Sequence, residues 1–210
     1  MNTGKFITFE GMDGCGKSTQ IRRLAARLRK DGRAVLETAE PGGTAIGRQT
    51  RQILLDSKNR ELAPTTEILL YFAGRAQNVD EWILPALAAG NLVLSDRFTD
   101  STLVYQGCGR GLGTETVLTL DRIACRGLKP DLTLLLDIDL ETSLARAQSR
   151  NLEALRSDRM EEQAADFYHK VRDAYRRLAA EEPERIRVVD GRADMETTEA
   201  RVWDVVSRYV

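Results

Sequence analysis

The chain has 210 residues, of which 31 are basic and 32 acidic, so that its formal net charge is −1. This length suits one domain with a good core and is short for two. The balanced charge gives no sign of a nucleic-acid or membrane partner, no apolar run is long enough to span a bilayer, and the N-terminus lacks a signal-peptide pattern.

The cysteines and the histidine narrow the chemistry further. Cys15, Cys108 and Cys125 are widely spaced and odd in number, so they form neither a metal-binding pattern nor a disulfide framework. A reducing compartment, the cytoplasm, is therefore expected. The single histidine, His169, lies in a charged helical stretch and is expected at the surface, so histidine-based catalysis is not expected.

The first predicted elements are a strand over residues 5–10 and a helix marked by Ile21, Leu24, Ala25 and Leu28. Between them, residues 11–18 read G-x-x-x-x-G-K-S. In a strand–loop–helix context this pattern predicts a phosphate-binding loop, whose glycines let successive N–H groups turn inward and whose helix points its positive end at the same place.

The loop supplies the predicted ATP-phosphate site. Lys17 can reach the β- and γ-phosphates, and Ser18 can coordinate magnesium. The residues assigned to ATP phosphates here are Gly11, Met12, Asp13, Gly14, Cys15, Gly16, Lys17, Ser18 and Thr19. GTPases, ATPases and small-molecule kinases share such a loop, so it does not identify the reaction.

Four further short apolar runs, residues 34–38, 91–96, 131–137 and 186–190, are predicted strands. Helical patterns over residues 65–87 and 167–178 lie between them, and residues 149–157 are expected to be loosely structured. Strands that alternate with helices predict an α/β fold with three layers, in which a five-stranded parallel sheet is flanked by helices.

Binding sites in such sheets lie at the carboxyl ends of the strands. There this chain has the phosphate loop, the E-P-G-G-T sequence at 40–44, Asp96-Arg97-Phe98 and residues 137–139, which are expected to converge. Asp96 can hold magnesium, and Arg97 can bind a second phosphate in a bidentate manner. This second anion site is what a kinase of a phosphorylated acceptor requires.

The other classes of phosphate-loop protein differ in the acceptor that they phosphorylate and in whether they catalyse a reaction at all. No Asn-Lys-x-Asp guanine-binding motif is present, so a regulatory GTPase is not expected. A kinase that acts on another monophosphate or on a nucleoside remains possible, although Arg97 favours a phosphorylated acceptor. A nucleotide-binding regulator without turnover is a third hypothesis, against which the set of Lys17, Ser18, Asp96 and Arg97 argues.

Several motifs in the same order resemble the thymidylate kinase family in its bacterial form, over nearly the whole length. They are F-E-G-M-D-G-C-G-K-S-T at 9–19, E-P-G-G-T at 40–44, D-R-F at 96–98, Y-Q-G at 105–107, R-G-L at 110–112, K-P-D-L-T at 129–133 and D-R-M-E at 158–161. The resemblance implies one nucleoside monophosphate kinase domain over residues 1–210, a homodimer, magnesium as cofactor, and transfer of the ATP γ-phosphoryl group to dTMP for dTTP biosynthesis.

The resemblance also implies the dTMP-binding residues, which are Glu40, Arg51, Tyr71, Phe72, Arg75, Arg97, Thr102, Tyr105 and Gln106. Arg97 and Arg51 would bind the dTMP phosphate, and Asp13 would contact the sugar 3′-hydroxyl or the metal shell. Either Tyr71 or Phe72 would stack on thymine while the other packs in the core.

Of the other dTMP-binding residues, Arg75 would bind a thymine carbonyl, Thr102 and Gln106 would face the base edge, and Tyr105 would crowd the 2′ position. Arg51 could instead be a solvated helix arginine, and Tyr105 a core tyrosine. The family often has an arginine where this chain has Ala39, which leaves the environment of Glu40 open.

An arginine-rich lid is expected at about residues 146–160, because the phosphate loop has Gly14-Cys15 and no arginine of its own. The predicted catalytic residues are Lys17, Asp13, Arg97 and Arg150. Arg146 and Arg156 are alternatives to Arg150, Arg159 lies beside the same segment, and a solvated basic helix face is the competing interpretation. Arg146 is also assigned to ATP binding, as is Arg192 beside a possible adenine site at Gly191.

Overall fold

The central sheet has five parallel strands in the order β2-β3-β1-β4-β5. The computed structural model describes residues 4–154, 159–160, 163 and 165–210. The strands are β1 Lys5–Glu10, β2 Val35–Ala39, β3 Leu92–Asp96, β4 Leu132–Asp137 and β5 Ile186–Asp190. The strand predictions are confirmed to within one residue at each end, because the central strands are apolar and buried on both faces.

Helices flank the sheet, and the predicted fold class is confirmed. They are α1 Lys17–Lys30, α2 Ala45–Leu55, α3 Pro64–Asn78, α4 Leu84–Ala88, α5 Thr99–Thr102, α6 Thr114–Cys125, α7 Leu140–Ala154, α8 Ala165–Glu181 and α9 Met195–Val206. Phe6 and Val93 pack in one apolar cluster with residues of α3 and α6. Their strand neighbours Ile7 and Leu94 belong to a second cluster with residues of α1 and α9, as the alternation of side chains along a strand requires.

The segment predicted as one helix over 65–87 is interrupted. A π-helical turn, Val79–Ile83, separates α3 from α4. Pro85 has no N–H group to donate to a carbonyl one α-turn earlier, so a regular α-helix cannot continue through this point without losing a hydrogen bond. A second π-helical turn, Leu103–Gly109, follows α5 directly.

The prediction of loose structure over residues 149–157 is wrong for its first part, because α7 continues to Ala154. This stretch contains several good helix formers and no glycine or proline, so nothing in it ends the helix. Residues 155–158, which include Arg156, lie outside the described part of the chain.

The exposure of His169 and the search for membrane-spanning helices concern two further predictions. His169 is exposed on α8, as predicted. Among the described residues, no helix has both the length and the apolar character that crossing a bilayer requires.

Candidate active site

The phosphate loop joins β1 to α1, and three of its glycines have positive φ angles. At Gly14, with φ of 75°, an added Cβ would lie 2.6 Å from the carbonyl oxygen of Ser143 and 2.9 Å from Cβ of Arg146. The Ser143 hydroxyl also donates to the carbonyl oxygen of Asp13 at 2.6 Å. The beginning of α7 is therefore packed directly on the loop, and only glycine fits at position 14.

Lys17 and Ser18 lie at the start of α1, where the chain turns out of the loop. Nζ of Lys17 is buried and donates to the carbonyl oxygens of Gly11 at 3.0 Å and Met12 at 2.9 Å. Oγ of Ser18 donates to Oδ2 of Asp96 at 2.5 Å. The hydroxyl and the carboxylate are hard oxygen ligands of the kind that magnesium prefers, so these two residues fit the predicted ion.

A cleft of about 550 Å³, open to solvent, lies beside the loop at the carboxyl ends of β1, β2 and β3. Its lining residues are Asp13, Glu40, Pro41, Arg51, Leu55, Tyr71, Arg75, Arg97, Ser101, Thr102, Tyr105, Gln106 and Met160. Eight of the nine residues predicted to bind dTMP are in this set, and Phe72 is the exception.

The two aromatic residues of α3 have different places. Phe72 is buried in the apolar cluster that contains Phe6 and Phe98, and it does not line the cleft. The prediction of Phe72 as a dTMP-binding residue is therefore not supported, because its ring packs in the core and against the guanidinium of Arg75, 4.8 Å away. Tyr71 is half-buried and lines the cleft, and its role in stacking stays a prediction.

Arg97 lies between the cleft and the phosphate loop. Its φ angle is 72°, a conformation that is uncommon for residues other than glycine and that concentrates at functional sites. Nη2 forms an ion pair with Oδ1 of Asp13 at 2.8 Å, and Nη1 donates to Oγ of Ser101 at 3.1 Å. The guanidinium also lies 5.0 Å from the ring of Tyr105.

Glu10 lies behind Arg97 and is completely buried. Its carboxylate accepts hydrogen bonds from the backbone N–H of Phe98 at 2.8 Å, from Ser101 at 2.5 Å and from the Tyr175 hydroxyl at 2.8 Å. Burial, with a smaller contribution from Asp100, raises the pKa of Glu10 from 4.5 to about 7. The hydrogen bonds and Arg97 oppose this rise only in part.

The raised pKa of Glu10 predicts a pH-dependent stability. Below pH 4.5 Glu10 is protonated in both the folded and the unfolded state. As the pH rises from 4.5 to about 7 the unfolded chain releases this proton while the folded protein retains it, so stability is lost over this range and falls no further once both states are ionised. The shift from 4.5 to about 7 corresponds to about 3 kcal/mol. We expect Glu10→Gln to remove this loss between pH 5 and 8 in urea unfolding, and a wild-type slope that persists in the variant would contradict the assignment.

Arg75 and Glu40 form a buried ion pair at the floor of the cleft. Nε of Arg75 donates to Oε2 of Glu40 at 2.5 Å, and Nη2 donates to Oγ1 of Thr102 at 3.0 Å. Asn78 donates to the other oxygen of Glu40 at 3.0 Å. Nη1 of Arg75 is buried and has no hydrogen-bond partner among the described residues.

The environment of Glu40, which the sequence left open, is thus defined by Arg75 and Asn78 across the cleft floor. Arg51, also predicted to bind dTMP, is exposed on α2, lines the cleft and donates to the carbonyl oxygen of Pro41 at 2.7 Å. Two predicted groups on the phosphate side of the cleft, Arg51 and Arg97, therefore lie at one cavity.

Comparison with known proteins agrees with this arrangement. The profile of the family described as "Thymidylate kinase" matches residues 9–202. A protein called thymidylate kinase from Geotalea uraniireducens (strain Rf4) is 51% identical over 205 residues, which is 97% of this chain and 96% of that protein. Another from Geobacter sulfurreducens is 49% identical over 209 residues, or 99% of this chain and 98% of that protein. The chain belongs to the thymidylate kinase family.

A solved structure supports the same assignment. The crystal structure of thymidylate kinase from Ehrlichia chaffeensis matches with a TM-score of 0.78 and 29% identity, and the match covers 97% of this chain and 99% of that one. The reaction of this family is the ATP-dependent phosphorylation of dTMP to dTDP, and the protein is a kinase of that kind. The hypothesis of a regulator without turnover is set aside.

The thymidylate kinase motif D-R-M-E contributes a structural contact that the sequence did not predict. Arg159 was expected beside a flexible, arginine-rich lid, but its side chain is buried and donates to Oε2 of Glu67 at 2.6 Å and to the carbonyl oxygen of Leu54 at 3.0 Å. Because its guanidinium is paired with Glu67 on α3, Arg159 holds its own part of the chain against α3 and is not a free lid arginine.

Arg146 and Arg192 both lie beside the turn after β5. Arg146 donates to the carbonyl oxygen of Gly191 at 3.3 Å, which joins α7 to the turn after β5. Arg192 is exposed and pairs with Asp190 at 2.8 Å. Arg150 belongs to α7, and the roles of Arg146, Arg150 and Arg192 toward ATP stay predictions.

Sequence reasoning gave no role to four residues at this site: Glu10, Glu67, Ser101 and Tyr175. Glu67 is buried on α3, where a carboxylate demands a partner, but its burial depends on how α3 packs. Tyr175 falls on the apolar stripe of α8 and looks like any core tyrosine.

Proposed function

We propose that this enzyme binds dTMP in the cleft and the phosphates of ATP on residues 11–19, with the γ-phosphoryl group passing between them. The observation that carries this proposal is the ion pair of Arg97 with Asp13, because it joins the cleft to the phosphate loop at 2.8 Å. A guanidinium at this junction suits an acceptor phosphate held beside the γ-phosphate.

Catalysis in this arrangement is positioning and charge neutralisation. The acceptor is an anionic phosphate oxygen, so no general base is needed. Lys17 and Arg97 reduce the repulsion between the two phosphates, and a lid arginine, Arg150 in our assignment, would stabilise the transferred group. Ser18 and Asp96 would hold magnesium, which when bound supplies further neutralisation of phosphate charge.

Recognition of thymine follows from the groups around the cleft floor. Arg75, which lines the cleft, would donate to the thymine O4 carbonyl, and the half-buried ring of Tyr71 would stack on the base. Thr102 and Gln106 would face the base edge. The ring of Tyr105, buried beside Arg97, would crowd the 2′ position and favour deoxyribose.

Product analysis tests the proposal. Incubation with ATP and magnesium should convert dTMP to dTDP, and dCMP, dGMP and thymidine should react far more slowly. Faster phosphorylation of thymidine than of dTMP would contradict an acceptor site built around Arg97, and no acceleration by any monophosphate would contradict the assignment as a whole.

We also propose a homodimer that forms through α2 and α3, which pack side by side. Ile46 and Ile53 on α2 and Leu69 on α3 are 47%, 45% and 50% exposed. Large apolar side chains that lie together at a surface favour an interface with a second copy.

The dimer proposal has a direct test in sedimentation. Leu69→Asp is expected to convert the protein to a monomer, because burying a carboxylate in an apolar interface is costly. Met195→Glu on α9, which replaces a residue that is 51% exposed, is the matched control and should stay dimeric. A monomeric wild-type protein would contradict the proposal.

The free thiols of Cys15, Cys108 and Cys125 fit the further proposal of a cytoplasmic location.

A further inference from the structure

Glu67 is a buried carboxylate that lies outside the cleft and touches one of its walls. The carboxylate is about 1% exposed and forms ion pairs with Arg110 at 3.1 Å and Arg159 at 2.6 Å. Burial alone would raise the pKa of Glu67, but hydrogen bonds from Arg110, Gln106 and Arg159 together lower it below its usual value. Glu67 is therefore ionised at neutral pH, and both of its oxygens can only accept hydrogen bonds.

This ionised carboxylate determines the orientation of the Gln106 amide. Nε2 of Gln106 donates to Oε1 of Glu67 at 2.9 Å. The reverse orientation would place the amide oxygen against a carboxylate oxygen, two acceptors with no proton between them. Gln106 also lines the cleft, so with Nε2 held by Glu67, the acceptor Oε1 is the group that the amide can offer to a ligand.

The cleft then has a donor and an acceptor in a definite order. Both Arg75 and Gln106 line it; the guanidinium of Arg75 can only donate, and Gln106 contributes the acceptor Oε1. The edge of thymine carries the complementary pair, an acceptor at O4 and a donor at N3–H. Cytosine carries the opposite pair, with a donor amine at C4 and an acceptor at N3.

We propose that Glu67 is a specificity-determining positioning residue, which fixes the amide of Gln106 so that the cleft accepts a hydrogen bond from pyrimidine N3 and thereby selects thymine over cytosine. This inference rests on the proposed function, because it needs the base to lie beside Gln106. Glu67 touches no substrate in this arrangement and acts through Gln106.

Glu67→Gln reverses the order of groups at this point. Oε2 accepts from Arg159 at 2.6 Å and from Nη2 of Arg110 at 3.1 Å, whereas Oε1 accepts from Gln106 at 2.9 Å and from Nε of Arg110 at 3.2 Å. Because the shortest of these bonds is at Oε2, the carbonyl of a glutamine is expected to stay there. Its NH2 would replace Oε1, and Nε of Arg110 would lose that acceptor. Gln106 would then have to turn its oxygen toward this NH2 and its own NH2 toward the cleft. The N3–H donor of thymine would then face the NH2 donor of Gln106, which is unfavourable. The N3 acceptor of cytosine would gain a hydrogen bond from the same NH2.

The experiment measures kcat/KM for dTMP and for dCMP in wild type, Glu67→Gln and Arg110→Met. The dTMP preference should fall about tenfold or more in Glu67→Gln, with KM for ATP unchanged. Arg110→Met is the matched control, because it removes a partner of Glu67 but leaves Arg159 beside an ionised carboxylate, so the preference should be retained. If Glu67→Gln lowered kcat/KM equally for dTMP and dCMP, the role of Glu67 would be structural only, and the inference would be overturned.

A double-mutant comparison separates action through Gln106 from other effects. In a Gln106→Leu background, Glu67→Gln should leave the ratio of dTMP to dCMP activity unchanged, and a further drop of the same size would overturn the inference.

If Glu67→Gln does not fold, nitrogen-15 NMR of the wild-type protein gives the answer. The side-chain NH2 of Gln106 should be protected from hydrogen exchange both without and with dTMP, and loss of that protection on binding would contradict the proposal. Failure of the proposed function is distinct from all these outcomes, since wild type would then show no preference for dTMP.

Discussion

Lys17→Met is expected to reduce the rate of dTDP formation by about 10³-fold, close to the effect of removing a key electrostatic contact from an active site. Methionine keeps most of the length of the side chain and loses its charge. The change removes the cation expected on the β- and γ-phosphates and also the hydrogen bonds from Nζ to the carbonyl oxygens of Gly11 and Met12. The loop would lose both a phosphate ligand and an internal support.

The matched control is Lys30→Met, which removes an exposed lysine from the last turn of the same helix. Steady-state kinetics with saturating dTMP and thermal unfolding of both variants separate loss of catalysis from loss of fold. A folded Lys17→Met protein with more than a tenth of the wild-type kcat would contradict the assignment of Lys17.

Arg97→Ala is expected to raise KM for dTMP by about 100-fold while KM for ATP changes little, because two charge-assisted hydrogen bonds to the acceptor phosphate would be lost. The substitution also removes the ion pair of Arg97 with Asp13, which joins the cleft to the phosphate loop. Arg97→Lys, which keeps the charge without the planar fork, should give an intermediate value.

Arg48→Ala is the control for Arg97→Ala. Arg48 is exposed on α2 and donates to the carbonyl oxygen of Gly43, so its removal deletes a guanidinium from the same part of the surface. Its kinetics should resemble those of wild type. Equal increases in KM for ATP and dTMP in Arg97→Ala would contradict the role of Arg97 in acceptor binding.

The sequence predicted the elements whose causes are local. The strands follow from short apolar runs. The phosphate loop follows from glycines spaced to allow the positive φ angles that the loop requires. The cleft at the strand ends follows from parallel topology. Arg97 comes directly after β3 and Asp13 three residues after the end of β1, so the two are expected to lie near each other.

Contacts between distant parts of the chain could not be predicted in the same way. Arg159 and Glu67 are separated by 92 positions, and no local pattern indicates that they pair. The choice between Tyr71 and Phe72 depended on the rotation of α3 against the sheet, which adjacent aromatic residues leave ambiguous. The π-helical turn at 79–83 required knowledge of how Pro85 is accommodated.

We propose that the phosphate loop and the cleft are the donor and acceptor halves of one two-phosphate site. Calorimetric binding of dTMP in the absence of ATP, to wild type, Lys17→Met and Arg97→Ala, tests this claim most directly. Lys17→Met should bind dTMP as wild type does, and Arg97→Ala should bind it about 100-fold more weakly. Comparable losses in the two variants, or wild-type affinity in Arg97→Ala, would contradict the account.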